Sequence, residues 1–390
     1  MATKPRLLVI TPWYAPAFKA GGVVRAVVNM VEALAADFDI SIATGDRDYL
    51  DSAPYPDVVP NRWDEQGGYR ILHLTPGPGS FLKMARLVRE PDWEIVHING
   101  LFSPLYTSTP LAALRPRSAA RRPRVIVHPH GMFGEGALRI KWRKKQLFLG
   151  GMRRAGLYDH VIWHATSALE ADEIRAILGD QVHIVEAANL PDQPKVGPPA
   201  PRDKAPGQAR ICFFSRISPK KGLLEGIRHL ARSSAGPGVA FDIIGPVDDA
   251  PYWQECEREI ERLRGSGVQV RHLGAIEPHQ VHDTLSGYHF MLLPTRNENF
   301  GYVILEALLA GCPVLLSDQT PWRDLDARDA GWVVALNDEA AWTRALDAAI
   351  QMDQPEFERR AAAAYNYAVA AAASPAAVAR LRGLLAGTAA

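Results

Sequence analysis

Two carboxylates, Glu298 and Glu306, bracket the stretch NENFGYVILEALLAGCPVLL at residues 297–316, which is otherwise apolar enough to be buried. A buried carboxylate is costly unless hydrogen-bond donors meet it. Paired sugar hydroxyls are such donors; the same residues also fit a helix cap at Glu298 and an internal ion pair at Glu306. The stretch reads as a helix opening near Phe300 and ending at Gly311, with a strand from Pro313. The first amides of that helix, around Phe300, Gly301 and Tyr302, have no intrahelical acceptor and suit a phosphate or a hydroxyl.

A second group of residues follows the apolar run Ile211–Phe214, in the order Ser215-Arg216-Ile217-Ser218-Pro219-Lys220-Lys221-Gly222. A guanidinium and an ammonium at one strand end can clamp a diphosphate, and a solvated basic turn fits the same residues. Near the start, LLVIT runs into a loop ending in Gly21-Gly22 before a helix from about Val23. A glycine pair lets backbone approach an anion at a helix N-terminus, yet the pattern is neither G-x-G-x-x-G nor a Walker loop, and a bare tight turn fits it too. Histidines close two further strands, in Ile95-Val96-His97-Ile98-Asn99-Gly100 and in Val125-Ile126-Val127-His128-Pro129-His130-Gly131. Strand alternation would put His128 and His130 on one face, as a metal pair needs. No carboxylate stands nearby and Pro-His-Gly spells a turn, so polar contact with a substrate is expected and metal is not. Asp37-Phe38-Asp39 and Asp46-Arg47-Asp48 are short, common patterns and read as chance rather than as a metal–nucleotide motif.

The elements that must position these residues alternate. Leu7–Thr11, Ile40–Thr44, Ile71–Thr75, Ile95–Ile98, Val125–His128, Val161–Ala165 and His183–Val185 read as strands separated by helices, several of them wholly apolar as in covered parallel sheets. A stretch rich in proline and charge, residues 191–207, reads as a linker. The alternation then restarts with Arg210–Phe214, Ala240–Ile244, Val268–Leu273, Phe290–Pro294, Val314–Ser317 and Trp332–Val334. The expectation is an α/β protein of two Rossmann-like domains, 1–190 and 208–370, facing each other across a cleft. An alanine-rich helical tail closes the chain, and its part at 371–390 is expected to pack back on the first domain. Ligands of such sheets sit beyond the carboxyl ends of the strands, where the residues above lie.

A chain of 390 residues with 47% hydrophobic and 22% charged residues is that of an ordinary globular protein of more than one domain. A net charge of +1 gives no global pull toward nucleic acid. Three scattered cysteines, Cys212, Cys256 and Cys312, fit a reducing cytoplasm and no disulfide framework or cysteine-zinc site. The apolar run near the N-terminus, Leu7–Ile10, is too short for a signal core, and no run reaches the length of a membrane span.

The segments SRISPKKG, GPVDDAPYW, RHLGAIEP, LLPTRNENFGYVILEALLAGCPVLLSD and TPWRDL together resemble the family 4 retaining glycosyltransferases of GT-B fold, with Glu298 and Glu306 on the family's E-x7-E signature. Gly21-Gly22, VHINGL, HPHGM and HATSALEADEIRAI extend the resemblance through the first half in matching order. It implies that Arg216 and Lys221 bind the donor diphosphate with backbone at Gly21 and Gly22, and that Glu306 holds the ribose hydroxyls. Glu298, Asn299, Phe300 and Gly301 would hold the donor sugar, and Ile276 in Gly274–Pro278 would border the base. His130 would contact the reacting sugar, with His97, Asn99 and His128 on the acceptor side. Retention, by front-face attack assisted by the leaving phosphate and without metal, is the implied outcome. The departures are Glu186-Ala187-Ala188-Asn189-Leu190-Pro191-Asp192 where the family often has Pro-Asn-Gly, and the glycine-rich Phe133-Gly134-Glu135-Gly136-Ala137-Leu138. Both leave acceptor identity open.

Residues 139–154 carry seven positive charges and no acidic residue, interleaved with Trp142, Leu147, Phe148 and Met152. Such a stretch can lie on anionic lipid, and a solvated helix face fits it equally. The expected function is sugar transfer from a nucleotide sugar to a glycan, lipid-linked, in surface-polysaccharide or lipopolysaccharide assembly, by a cytoplasmic enzyme peripheral on the inner membrane face. The alternatives are a same-fold synthase with a small soluble acceptor such as a sugar phosphate, and a non-catalytic nucleotide-sugar-binding subunit.

Overall fold

The computed structural model describes residues 4–388 apart from 116–117, 119–121, 140, 192–198 and 373–374, and divides the chain into two compact units. The first comprises Met1–Leu190 and Pro375–Ala390, the second Pro191–Ser374.

The first unit is built on an eight-stranded sheet. Its strands are β1 (Arg6–Ile10), β2 (Asp39–Gly45), β3 (Trp63–Gln66), β4 (Tyr69–Leu74), β5 (Ile95–Asn99), β6 (Arg124–His128), β7 (Val161–Ala165) and β8 (His183–Glu186). Their spatial order is β3-β4-β2-β1-β5-β6-β7-β8. Only β3 runs antiparallel, against β4. Parallel neighbours need a crossover, and helices on both faces supply it, so the central strands are buried on both sides. Leu8, Val96 and Trp163 belong to one core, and Leu7, Ile40 and Ile126 to another. The second core is completed from the far end of the chain by Leu381, Leu384 and Leu385 of the helix Pro375–Ala386.

The second unit carries a six-stranded parallel sheet of β9 (Ala209–Phe214), β10 (Val239–Ile244), β11 (Gln269–Gly274), β12 (Phe290–Leu293), β13 (Val314–Ser317) and β14 (Gly331–Val334), in the order β11-β10-β9-β12-β13-β14. In each sheet the chain winds outward to one side and restarts on the other. Its direction reverses between β1 and β5 in the first unit and between β9 and β12 in the second. At such a switch point the connections leave in opposite directions and open a crevice at the strands' carboxyl ends.

Several expectations need correction. The strand Trp63–Gln66 was not anticipated, because its charged, mostly exposed residues lack the alternation of a half-buried strand. Of the proposed linker 191–207, residues 192–198 lie outside the described residues, but its end is packed, not solvated. Arg202 is buried and donates to the carbonyls of Tyr288 (2.7 Å) and Gly311. The Lys204 ammonium donates to the Ile350 and Met352 carbonyls at 2.8 Å, capping the helix Glu339–Gln351 at the end where cations are favoured. The alanine-rich tail is two helices, Gln354–Ala372 and Pro375–Ala386. By length and composition alone the span Gln354–Ala386 could cross a membrane. However, Phe357, Ala361, Ala364 and Ala368 are buried in the second unit's core, and Leu381, Leu384 and Leu385 in the first unit's, which is how amphipathic surface helices pack.

Candidate active site

The loops leaving β9 and β12 meet at the switch point of the second unit. After Phe214 the chain passes Arg216, makes a short turn at Pro219–Lys221, and enters the helix Leu223–Arg232 through Gly222. Gly222 has φ +75, and a methyl there would run into the Pro294 carbonyl, so glycine is what lets the two loops touch. Thr295 Oγ1 (3.2 Å) and the Arg296 amide (2.8 Å) both donate to the Lys220 carbonyl. The stitched loops place the Lys221 ammonium 2.5 Å from Glu298 Oε1. Glu298 is buried, and its amide donates to the Gln319 carbonyl at 2.9 Å. The ammonium therefore meets the carboxylate that the opening stretch left in question.

Arg216 is half-buried, with Nη1 3.3 Å from Asp248 Oδ2. A parallel bridge between Ile217 and Val247, and amide bonds from Asp248 and Asp249 to the Ile217 carbonyl, bring that aspartate beside it from the end of β10. Gly301, at φ +78, opens the helix Tyr302–Leu309. The Phe300 carbonyl accepts from Trp322 Nε1 at 2.6 Å, and the two rings meet edge to face. Glu306 is half-buried in the second turn of that helix, so the helix opens later and Glu306 lies nearer its start than the sequence suggested. Gly311 has φ +61 just beyond the helix end, as expected. Ile276 is partly buried against the second unit's core, and Asn299 and Phe300 are likewise half-buried.

In the first unit Gly21 is exposed at φ 71 and precedes the helix Gly22–Leu34, whose first turn has no side-chain cap. The loop before it is held by Asp48, whose Oδ2 accepts from the amides of Phe18 (2.9 Å) and Lys19 (3.1 Å). Asp46 and Asp48 are both buried, so the reading of Asp46-Arg47-Asp48 as chance misses a structural role for the glycine loop. His97, Asn99, His128 and His164 share one face at the ends of β5, β6 and β7, because Asn99 pairs with His128 and Val127 with Trp163. Asn99 Nδ2 lies 3.1 Å from His97 Nδ1, and Asn99 Oδ1 lies 2.9 Å from His130 Nε2. His130 has φ 53 and its ring stacks on His128 at 3.5 Å, so the two are a turn-and-stack pair, not alternate residues of one strand. Burial first, and then the neighbouring His164, push the His130 imidazole below its usual range, which makes it a neutral hydrogen-bonding group.

Sequence reasoning also missed Glu170. It is buried, its Oε1 accepts from the Gly131 amide (2.6 Å), and its Oε2 accepts from the Thr166 amide and hydroxyl at 2.8 Å. The signal was present in Ser167-Ala168-Leu169-Glu170, where Ser167 caps the helix Ala168–Leu178 and a glutamate stands three residues on.

Two doubly wound units, the second with a basic pair and two carboxylates at its switch point, have the architecture of the GT-B class. Residues 20–187 match the family model for Glycosyltransferase Family 4, and residues 199–368 match that for Glycosyl transferases group 1. The chain belongs to the family 4 glycosyltransferases of GT-B fold. Among curated relatives, a D-inositol 3-phosphate glycosyltransferase of Nocardia farcinica is 28% identical over 37% of this chain and 33% of its own. A phosphatidyl-myo-inositol mannosyltransferase of Mycolicibacterium smegmatis is 26% identical over 73% and 69%. The match thus spans about a third of the length of the first of these relatives. Among solved structures, sucrose-phosphate synthase from Thermosynechococcus elongatus is 18% identical with a TM-score of 0.72 over 98% of each chain, a likeness of fold.

Proposed function

We propose that the chain transfers a hexosyl group from a nucleoside-diphosphate sugar to a hydroxyl acceptor with retention of configuration. The observation that carries this reading is the switch-point cluster of Arg216, Lys221 and Glu298 on the loops of neighbouring strands, beside the N-terminus of the Tyr302–Leu309 helix. The sugar's anomeric bond to the diphosphate breaks, the acceptor oxygen bonds to the same carbon from the same face, and the acceptor proton passes to the leaving phosphate. Negative charge grows on that phosphate, and preorganised cations lower the barrier most where charge develops. Arg216 and Lys221 supply it in place of a divalent cation. Lys221 then turns from Glu298 to the diphosphate, and Glu298 takes sugar hydroxyls instead; Glu306 holds the ribose, and Ile276 borders the base. His130, a neutral ring at the strand ends of the first unit, hydrogen-bonds a reactant hydroxyl.

The acceptor we infer is a lipid-linked glycan of surface-polysaccharide or lipopolysaccharide assembly, met at the inner face of the cytoplasmic membrane. The helix Trp142–Arg154 supports this. Trp142 (55%) and Leu147 (78%) are exposed large apolar side chains flanked by exposed Arg143 and Lys144. Lys145 is turned inward, 2.6 Å from the Ala137 carbonyl and over the Phe102 ring, and Ile140 lies outside the described residues. Three buried free thiols suit a reducing compartment. A second reading, a soluble phosphorylated acceptor, is favoured by the names of two of the similar proteins, an inositol 3-phosphate glycosyltransferase and a sucrose-phosphate synthase.

The deciding experiment is thermal stabilisation by UDP-, GDP-, ADP- and dTDP-sugars, followed by turnover on the productive donor with lipid-linked and phosphorylated acceptors. A shift with one nucleotide class, equal in EDTA and lost in Arg216→Ala and Glu306→Ala, supports the donor site. A shift that survives both substitutions sinks it, and binding without turnover on any acceptor points to a non-catalytic subunit.

A further inference from the structure

At the ends of β5, β6 and β7 three buried histidines point ring nitrogens at one another. His97, His128 and His164 are 0%, 2% and 2% exposed, and one nitrogen from each lies within 4.8 Å of the others. His97 Nε2, His128 Nε2 and His164 Nδ1 have no hydrogen-bond partner among the described residues. A buried polar atom without a partner costs about 1–3 kcal/mol, and this arrangement repeats that cost on three neighbouring strands. At 0–2% exposure these nitrogens are closed to a substrate, so the acceptor-side contact that the resemblance implied for His97 and His128 does not account for them.

We propose that the three nitrogens hold a divalent transition-metal ion of the zinc type. Three imidazoles and one open position for water are a familiar ligand set for such ions. Tetrahedral bonds of about 2.0–2.1 Å set ligand nitrogens roughly 3.3–3.4 Å apart, so the rings close by up to about 1.4 Å on loading. Two of the three, His164 and His97, have the outer contact of a ligating histidine, whose second nitrogen is oriented by a hydrogen bond. His164 Nε2 lies 2.7 Å from the Ala187 carbonyl, so it carries the proton and Nδ1 keeps its lone pair. His97 Nδ1 faces the Asn99 amide at 3.1 Å. With the ion on Nε2, His97 Nδ1 holds the proton and Asn99 must turn its oxygen toward it. Its amide nitrogen then donates to His130 Nε2. Metal loading would thereby select the tautomer of His130 without the ion touching the reacting atoms.

The test uses the full-length chain, freed of any affinity tag and stripped by chelator, titrated with Zn2+ and with Co2+ under equilibrium dialysis and visible spectroscopy. The expected result is stoichiometric uptake with ligand-field bands of tetrahedral cobalt. Affinity should fall ~10-fold or more in His164→Asn and in His97→Gln, with His229→Gln in the second unit as the unchanged control. Nitrogen NMR of the rings should show the His97 proton move to Nδ1 on loading. Uptake that is substoichiometric, or that persists in both variants, overturns the proposal. A variant that fails to fold leaves the wild-type stoichiometry and the NMR tautomer to decide it.

Discussion

At the scale of single residues, Lys221 and Glu298 hold one another in a largely buried ion pair. Breaking such a pair from one side leaves an uncompensated charge. Lys221→Met should therefore cost about 3 kcal/mol of stability, and Glu298→Gln added to it should restore part of the loss. Urea unfolding of the two single variants and the double would measure this coupling; additive effects would mean the pair is solvent-screened. Catalysis should behave differently if, as proposed, Lys221 meets the diphosphate and Glu298 the sugar. The double variant should be at least as inactive as the worse single one, with no rescue. Arg216→Ala should lower kcat/KM by about 10²–10³-fold, the range for losing one donor to developing charge.

At the scale of elements, the loops are shaped by residues whose contacts are with backbone, Gly222 against Pro294 and Glu170 against Gly131. Gly222→Ala should separate the β9 and β12 loops, because both φ and the Pro294 backbone oppose a methyl. A melting temperature several degrees lower and loss of donor binding are expected; an unchanged donor-induced shift would show that the loops tolerate parting. Glu170→Gln should loosen the Gly131 amide that sets the His130 turn. It should lower kcat by about 10-fold while leaving the donor's thermal shift intact, since it disturbs positioning of one group and not donor binding. This separation mirrors what the chain made legible. Strands such as Val125–His128 announce themselves, because burial on both faces demands unbroken apolar residues. Glu298 and Arg216 stand out because charge beside a buried strand end needs a reason. Asp48, Arg202 and Lys204 do not stand out, because their partners are backbone atoms that a side-chain pattern cannot reveal. The His97, His128 and His164 cluster is hidden for a related reason, being assembled across three strands and not along one.

At the scale of the whole molecule, charge and acidity act on surfaces and cores. Co-sedimentation with anionic vesicles in low salt should capture the protein and release it as salt rises. Arg143→Gln with Lys144→Gln should abolish capture and Lys145→Gln should not, since Lys145 is already engaged; equal capture of all three would rule out docking through this helix. In the second unit, burial pushes His229 and His289 down to about 4. His289 is satisfied as the neutral ring, accepting from the Arg210 amide at Nδ1 and facing the Asp203 carbonyl with Nε2. Both rings stay neutral in the folded unit and take up protons on unfolding below their ordinary value of 6.5. Their contribution is thus complete above about pH 6.5 and is lost as pH falls toward 4, at no more than ~1.4 kcal/mol per pH unit each. Urea midpoints should fall across this window and fall less in His289→Gln; parallel curves would assign the acid loss elsewhere. The return of Pro375–Ala386 to the first unit bears on how the protein is made. The first unit's sheet leaves the ribosome before the second unit, while the leucines that seal its core follow that unit in the chain. At ~5–20 residues per second the open face waits on the order of ten to forty seconds. A chaperone that shields apolar surface on nascent chains should bind the first unit's sheet and let go only once Pro375–Ala386 has emerged.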